Sequence, residues 1–393
     1  MSQIAKKLKF CLASFLVAFV TCSASAQTSE PIAGQAVPGL EVFDEAMQSL
    51  LLKTKFPGAA LTVYFQDRLV LNKAYGYAKK GFTGSVPMAV DQRMRIASLS
   101  KWITAAAALK AVDQGKLDLD KPYVASMGFS LNPADYDDKR VPSITARQLL
   151  QNHAGWVLKI DPMFEHTPPC PARSARWLSA QTLEAEPGQI YSYSNTNFCL
   201  MTQLIEKVTQ EKYVDFVKSH IAVPAGITSW AYATLSGKSD EPDYVFGAGD
   251  AYTHINFDAL SGAGAWTSST ADYARFLVAL RGYKGAPLVS PAAFAQLTAR
   301  PKTAASAGTP TYYGLGVNVR ALDGGGFNLW HTGSLPGTSS FAFSFANGWT
   351  MVANFNSRLA LAEREKAAQE IQRLLVDAMR KAKPPAAAEI ASR

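Results

Sequence analysis

The sequence lacks the short motifs that mark the commonest metal, cofactor and hydrolase sites. It contains no His-Glu-x-x-His and no Cys-x-x-Cys pattern, so no metal site is predicted. The Gly-x-Gly pairs at 247–249 and 314–316 lack the pattern that a dinucleotide-binding fold places after a strand. No Gly-x-Ser-x-Gly occurs either, which argues against an α/β-hydrolase mechanism. We therefore expect a protein that works without a cofactor.

Charged residues and long apolar runs are also scarce. Only 18% of the 393 residues are charged, and the formal net charge of +8 comes without a dense run of lysine and arginine. A nucleic-acid-binding surface is therefore not predicted. Beyond residue 26 no stretch reaches the roughly 18 consecutive apolar residues of a membrane span, so we expect none. A hydrophobic content of 48% is typical of a globular protein with a large core.

The first 26 residues have the pattern of a cleaved signal peptide. Three lysines between positions 6 and 9 precede a largely apolar run over 10–21, and 24–26 (Ala-Ser-Ala) offers small side chains for cleavage. The expected location is the periplasm or the medium. A lipoprotein anchor at Cys22 is the alternative, but Thr21 is bulkier than the residue expected before such a cysteine. Without this segment the formal net charge falls by three, to +5.

Cysteine is rare, with four residues in the whole chain. Cys11 and Cys22 leave with the predicted signal peptide, so Cys170 and Cys199 remain in a compartment that permits disulfides. We predict that these two are bridged, which would stabilise the fold by about 3–4 kcal/mol on the chain-entropy account. The alternative is a pair of buried free thiols.

Strand and helix signals occur at both ends of the chain, with helices between them. After a flexible leader over 27–39, the N-terminal part is predicted as a helix, a two-stranded hairpin and a second, long helix, over 40–55, 59–65, 69–77 and 98–113. The C-terminal part is predicted as four strands and an amphipathic helix, over 313–319, 327–332, 339–345, 349–355 and 361–383.

Antiparallel strands from the two ends of a chain can join one sheet. We therefore predict an α/β fold in which an antiparallel sheet, flanked by the N- and C-terminal helices, carries an inserted all-helical lobe. One catalytic domain would cover 40–382, with its α/β part at 40–112 and 300–382, its helical lobe at 113–299, and a disordered tail at 383–393. We expect a monomer, with the site in the cleft between the two parts.

Ser98 and Lys101 lie one helical turn apart at the start of the long predicted helix. Residues three apart share a helix face, so the lysine amine can reach the serine hydroxyl. A serine becomes a nucleophile when a neighbouring base takes its proton, and a lysine in a suitable environment can be that base. Alone, the motif is weak, and a helix cap followed by a surface lysine is the preferred interpretation of these four residues by themselves.

Two further motifs follow in order. Tyr193 and Asn195 stand before a predicted helix, where a phenol can shuttle a proton and an amide can orient a substrate. The alternative is a buried tyrosine before a helix cap. His331, Thr332 and Gly333 end a predicted strand, where the glycine allows close approach and the threonine offers a hydroxyl. The alternative there is an ordinary strand end and turn.

With these three motifs the chain resembles the serine β-lactamase and penicillin-binding-protein superfamily. Its Ser-x-x-Lys, Tyr-x-Asn and His-Thr-Gly motifs occur in the family's order, in a predicted helix, loop and strand. The branch it resembles contains class C β-lactamases, secreted D-alanyl-D-alanine carboxypeptidases and β-lactamase-like carboxylesterases. The resemblance covers about residues 40–380 and implies the sheet-plus-helical-lobe fold of that family.

The resemblance also implies a role for each motif residue. Ser98 would attack a carbonyl and become acylated, while Lys101 and Tyr193 handle its proton, with the choice of base left open. Asn195 and the 331–333 motif would bind substrate. The oxyanion would lie between the backbone N–H groups of Ser98 and Ser334.

Two positions depart from the family pattern. His331 stands where most β-lactamases carry lysine. Imidazole is only partly charged near pH 7, so we expect a weaker and pH-dependent electrostatic partner, which argues against efficient β-lactam destruction. Asn152 stands where the family often has histidine, and we interpret it as structural.

The predicted activity is hydrolysis of an amide or ester through an acyl-enzyme on Ser98. Export and the motif set favour a D-alanyl peptide of the cell wall as substrate. The alternatives are a carboxylesterase acting on short acyl esters, and a weakly active penicillin-binding protein that acylates and stays acylated. The expected partners are therefore small molecules or peptides, including peptidoglycan peptides and β-lactams.

Overall fold

A computed structural model describes residues 30–81, 84–157, 170, 175–245, 255–283, 285–358 and 361–383. The predicted signal peptide lies outside the described residues, as does the predicted disordered tail from residue 384 onward.

The strands of the described residues form one large antiparallel sheet and one small one. In chain order they are β1 Ile32–Ala33, β2 Gly58–Phe65, β3 Arg68–Gly81, β4 Gly84–Pro87, β5 Met94–Arg95, β6 Ala231–Tyr232, β7 Trp266–Ser268, β8 Thr311–Tyr313, β9 Asn318–Ala321, β10 Phe327–Leu335, β11 Thr338–Ser344 and β12 Trp349–Phe355. The large sheet has the order β1-β3-β2-β12-β11-β10-β9-β8, with β4 on β3, and the small sheet has the order β5-β7-β6. N- and C-terminal strands meet where β2 pairs with β12.

Helices cover both faces of the large sheet. In chain order they are α1 Glu41–Thr54, α2 Ser100–Asp113, α3 Tyr123–Met127, α4 Ala146–Leu150, α5 Ala175–Ser179, α6 Asn195–Thr209, α7 Tyr213–Val217, α8 Phe257–Leu260, α9 Thr270–Leu280, α10 Pro291–Leu297 and α11 Leu361–Lys381. This arrangement confirms the predicted α/β fold with an antiparallel sheet, terminal helices and inserted helices.

The alternation of side chains along the central strands explains why helices cover both faces of the large sheet. On β12, Met351 and Ala353 belong to the apolar cluster that contains α1 and α11, whereas Val352 belongs to the cluster that contains α2. Neighbouring side chains of a strand point to opposite faces, so a strand with apolar side chains on both faces is buried on both sides. All seven residues of β12 are buried accordingly.

The predicted strand over 313–319 is wrong as one continuous strand. The structure has two strands there, β8 and β9, with a glycine turn over 314–317 between them. Gly316 has φ +68, and a Cβ at this position would lie 2.6 Å from the Lys101 carbonyl oxygen. The turn therefore packs directly on α2 beside the lysine of the site, and only glycine fits there. Spacing alone did not reveal this break.

Two predicted boundaries also differ from the structure. Part of the leader over 27–39 is ordered, because Ile32 and Ala33 pair with β3, a pairing too short to leave a periodic signal. The helical lobe was predicted to extend to 299, yet α9 packs on β2 and β12 and so belongs with the sheet. Elsewhere the predicted hairpin, the long helix and the C-terminal strands lie within a few residues of the observed ones.

Among the described residues, no helix has both the length and the apolar character that a membrane span requires.

A disulfide ties the helical part together. Cys170 and Cys199 are bridged, with their Cα atoms 5.5 Å apart, and both are buried. Cys199 lies in α6, the helix that begins at Asn195. The bridge therefore links a distant segment to the helix that carries a predicted site residue.

Replacing both cysteines by alanine should lower the free energy of unfolding by about 3–4 kcal/mol, because the unfolded chain regains the entropy of a 29-residue loop. Urea unfolding of the wild type and of Cys170→Ala/Cys199→Ala measures this difference. As a control, reductant should shift the midpoint of the wild type but not of the variant. Equal midpoints for the wild type with and without reductant would show that the two thiols are not bridged.

Candidate active site

Ser98 lies in a short helical turn, Ala97–Leu99, that leads into α2. The residue before it, Ala97, has φ +48, in the left-handed region that an alanine rarely adopts. A backbone of this kind costs about 1–3 kcal/mol and persists only where its surroundings hold it. The strain is located immediately before the predicted nucleophile.

Three strands hold this strained turn in place. The Ile96 amide donates to the Trp266 carbonyl of β7 at 3.1 Å, and the Ile96 carbonyl accepts from Ser340 Oγ of β11 at 2.7 Å. Asn354 of β12 donates from Nδ2 to the Arg95 carbonyl at 3.1 Å. The backbone on the N-terminal side of Ser98 is thus bound to the sheets, which fixes the position of the serine.

Lys101 lies completely buried on the first turn of α2. Its Nζ lies 3.1 Å from Ser98 Oγ, 2.5 Å from Asn195 Oδ1 and 2.8 Å from the Ala263 carbonyl oxygen. Three oxygen atoms match the three N–H donors of an ammonium group. The predicted serine–lysine contact and the predicted asparagine therefore meet at one amine.

Tyr193 lies over this amine at the edge of the helical part. Its ring centroid is 4.7 Å from Lys101 Nζ, and the side chain is 41% exposed. The ring also packs against Tyr313 and His331, at centroid distances of 6.3 Å each. The Tyr193 side chain therefore neighbours the buried lysine and also reaches the groove.

Strand β10 forms the opposite side of the site. β9 pairs with β10 only as far as Trp330, so residues 331–335 have no further strand on that edge among the described residues. A Cβ on Gly333 would lie 2.4 Å from the Ile96 carbonyl oxygen and 2.1 Å from Ser340 Oγ. Glycine is needed here so that the strand can approach the turn of Ser98.

His331 differs from its expected role. It is 3% exposed, and its Nδ1 lies 2.7 Å from the Thr332 carbonyl, to which it must donate. Its Nε2 lies 2.9 Å from Tyr313 Oη and is then the acceptor of that phenol's proton. Burial, together with the positive charge of Lys101, lowers the imidazole pKa to about 3. The expected pH-dependent cationic partner is therefore wrong, and His331 is a neutral residue behind the groove.

The motif residues line one groove of about 390 Å³. Ser98, Tyr193 and Asn195 form one side of it, and 332–334 forms the other. Phe56, Phe341 and Ile371 add an apolar part. Two depressions elsewhere are larger, at about 520 and 560 Å³, but neither contains Ser98. Among the described residues no three His, Cys, Asp or Glu side chains gather to hold a metal.

Two arginines at the groove were missed from the sequence. Arg358 donates from Nη1 to Ser334 Oγ at 3.3 Å, and Arg364 of α11 lines the groove itself. Burial, together with the charge of Arg364, lowers the pKa of Arg358 to about 10. No spacing rule links them to Ser98, because they follow the last strand and meet the site only through the fold.

The sequence profile described as beta-lactamase matches residues 41–375. The chain belongs to the β-lactamase family. The match spans Ser98, Lys101, Tyr193, Asn195 and the strand over 331–334. The serine, lysine and tyrosine that lie together in this β-lactamase-family protein agree with the serine-hydrolase class of that family.

Two relatives illustrate the range of the family. A probable fimbrial assembly protein FimD, serogroup H1, from Dichelobacter nodosus is 31% identical over 208 residues, which is 51% of this chain and 52% of that protein. A D-aminopeptidase from Brucella anthropi is 34% identical over 181 residues, which is 44% of this chain and 32% of that protein. The matched parts span about half of the first relative and a third of the second.

A solved structure shares the fold. The D-alanine carboxypeptidase AmpC from Burkholderia cenocepacia has a TM-score of 0.65 and 18% identity to this β-lactamase-family protein, over 85% of this chain and 99% of that one. At this level of identity the likeness establishes the architecture alone.

The buried neutral His331 predicts how stability depends on pH. An unfolded histidine has a pKa of 6.5, whereas the folded value is about 3. Between these values the unfolded chain binds a proton that the native protein does not, so stability falls as pH is lowered from 6.5. By pH 4 the loss from this residue reaches about 3 kcal/mol.

Urea unfolding at pH 7 and pH 4 measures this dependence. The drop in unfolding free energy should be smaller for His331→Gln than for the wild type, because the substituted side chain does not titrate. The matched control is His220→Gln, since the His220 side chain is 30% exposed at the surface. A drop of the same size in the wild type and in His331→Gln would contradict a neutral, buried imidazole.

Proposed function

We propose that this protein is an exported hydrolase that forms an acyl-enzyme on Ser98 and cleaves amide bonds of D-alanyl peptides. The observation that carries the proposal is the contact of Ser98 Oγ with a buried lysine amine, under a tyrosine ring that faces the groove. A hydroxyl, a cation and a phenol in this arrangement are the groups that acyl transfer needs. The signal-peptide pattern of residues 1–26 supports export, and we retain a monomer as the proposed state.

The first step joins Ser98 to the substrate. Its oxygen forms a bond to the substrate carbonyl carbon while its proton passes to the base. Lys101 has no exposed surface and donates to three oxygen atoms, whereas Tyr193 is 41% exposed. We therefore propose that Tyr193 transfers this proton to the leaving nitrogen of the substrate. Lys101 provides a positive charge beside the phenol. The C–N bond then breaks and leaves an ester on Ser98.

The second step releases the acyl group. Water adds to the ester carbonyl, its proton passes through the same phenol to Ser98 Oγ, and the C–O bond to Ser98 breaks, which restores the free serine and releases the acid. In both steps the carbonyl oxygen becomes negative, and we propose the backbone N–H groups of Ser98 and Ser334 as its donors. One such donor contributes about 3–4 kcal/mol to transition-state stabilisation. The open edge of β10 beyond Trp330 supports this assignment for Ser334.

The substrate class is argued from the charges at the groove. Arg358 and Arg364 are neighbouring cations at the end that is lined by Ser334. A carboxylate placed there gains charge-assisted hydrogen bonds from guanidinium groups. A peptide that ends in a free carboxylate therefore fits better than a neutral ester. The likeness to a D-aminopeptidase supports substrates that contain D-amino acids.

Ser98→Ala should abolish covalent labelling by a fluorophosphonate probe and lower turnover by at least about a thousandfold, because the proposed acyl-enzyme forms on this hydroxyl. The assay compares a D-Ala-D-Ala peptide, a chromogenic cephalosporin and p-nitrophenyl acetate. Ser143→Ala, at an exposed serine far from the groove, is the matched control and should behave as the wild type. Hydrolysis of p-nitrophenyl acetate above background by Ser98→Ala would remove Ser98 from its role.

Arg358→Gln should lower kcat/KM for the D-Ala-D-Ala peptide by about tenfold or more, because the substrate carboxylate loses a charge-assisted partner. For p-nitrophenyl acetate, which carries no carboxylate, kcat/KM should change less than about twofold. The matched control is Arg320→Gln, which removes the same charge from an exposed position on β9. Equal losses for the peptide and the ester would reject the proposed recognition of a carboxylate.

A carboxylesterase is the second candidate. Phe56, Phe341 and Ile371 line the groove beside the polar residues and offer an apolar surface to an acyl chain. An ester needs the same acyl-enzyme chemistry but no carboxylate partner. A wild-type kcat/KM that is higher for short esters than for the peptide would favour this function.

A further inference from the structure

Asn152 stands out among the buried polar residues that the sequence left without a functional role. It lies just beyond α4, is completely buried and has φ +58. Asparagine tolerates this left-handed conformation better than most residues. Its side chain can therefore be directed at a neighbouring loop from a backbone position that few other residues adopt without strain.

Asn152 holds the chain on both sides of Tyr193. The backbone amide of Ser192 donates to the Asn152 carbonyl oxygen at 2.8 Å, and the backbone amide of Ser194 donates to Asn152 Oδ1 at 3.2 Å. The residues immediately before and after the tyrosine are thus bound to a single residue. Both bonds are directional, so they restrain the peptide planes from which the phenol projects.

The orientation of the Asn152 side chain is itself set by neighbours. Its Oδ1 accepts a second bond from Asn197 Nδ2 at 3.0 Å, and Asn197 Oδ1 accepts from Trp156 Nε1 at 3.0 Å. The indole nitrogen of Trp156 can only donate, which fixes the direction of the whole chain of bonds. Consequently the oxygen of the Asn152 amide, and not its nitrogen, faces the Ser194 N–H.

We propose that Asn152 is a positioning residue that holds the Tyr193 phenol in place over Lys101 and Ser98. Small displacements of a proton-transferring group lower the rate steeply, since the transfer needs hydrogen-bond distance in the transition state. Asn152 touches neither substrate nor the reacting atoms and acts through Tyr193. The inference rests on the proposed role of Tyr193 in proton transfer.

Asn152→Gly tests the inference most directly. Glycine adopts φ +58 freely and keeps the carbonyl bond to Ser192, so the contacts of the amide side chain are lost while the backbone bond remains. With p-nitrophenyl acetate, kcat should fall about 10- to 100-fold while KM stays within about threefold. Asn152→Asp retains the acceptor and should recover most of the lost kcat. Asn132→Gly is the matched control, because Asn132 Oδ1 likewise accepts from a backbone amide, that of Ala134, at 3.1 Å.

A double-mutant cycle with Tyr193→Phe separates positioning from a merely structural role. If Asn152 acts through the phenol, Asn152→Gly should change kcat less than about twofold once that phenol is absent. Losses that multiply in the double variant would overturn the inference. If thermal unfolding shows that Asn152→Gly does not fold, Asn152→Ser replaces it. The serine hydroxyl is too short to reach the Ser194 amide, so the same changes in kcat are expected for this variant.

The same double-mutant cycle tests the proton-transfer role of Tyr193 and the positioning role of Asn152 separately. A Tyr193→Phe variant with wild-type kcat would refute the proton-transfer role of Tyr193, and the inference about Asn152 with it. A slow Tyr193→Phe variant with multiplying losses would refute only the inference. The choice of p-nitrophenyl acetate makes the result independent of whether the natural substrate is a D-alanyl peptide.

Discussion

A buried amine joins the separate segments that form the site. Lys101 of α2 has no exposed surface, and its amine contacts Ser98 Oγ, Asn195 Oδ1 of α6 and the Ala263 carbonyl. A cation removed from water is tolerated only where acceptors replace its hydration. The helical part and the segment before β7 must therefore keep their positions relative to α2. This requirement places the asparagine and the serine of two distant motifs within a few ångströms of each other.

The large sheet supports the strained backbone before the nucleophile. The left-handed alanine at 97 would relax if its neighbours moved freely. Bonds from β7, β11 and β12 to residues 95 and 96 prevent this, and the glycine at 333 lets β10 approach the same turn. The sheet therefore does more than bury apolar area: it positions one serine oxygen. The apolar clusters on both of its faces make that support rigid.

The groove combines an apolar wall with a cationic end, and a neutral histidine lies behind it. His331 occupies the position for which we predicted a partly charged imidazole, but burial and the positive charge of Lys101 lower its pKa to about 3. The positive charge beside Ser334 is supplied by Arg358 and Arg364, near the start of the C-terminal helix. The electrostatic character of the site therefore depends on how α11 packs, and not on the His-Thr-Gly motif alone.

Periodicity and motif order by themselves determined the sheet, the terminal helices, the family and the serine, lysine, tyrosine and asparagine that meet at the groove. These features depend on local spacing, such as one helical turn between 98 and 101, which a sequence displays directly. Only the tertiary structure decided the glycine turn that divides 313–319, the strain at Ala97, the neutral state of His331, and the parts played by Asn152 and Arg358. Each of these features results from contacts between residues that are far apart in the chain. Such contacts set the dihedral angles, the burial and the neighbouring charges of a residue, and they produce no periodic pattern in the sequence.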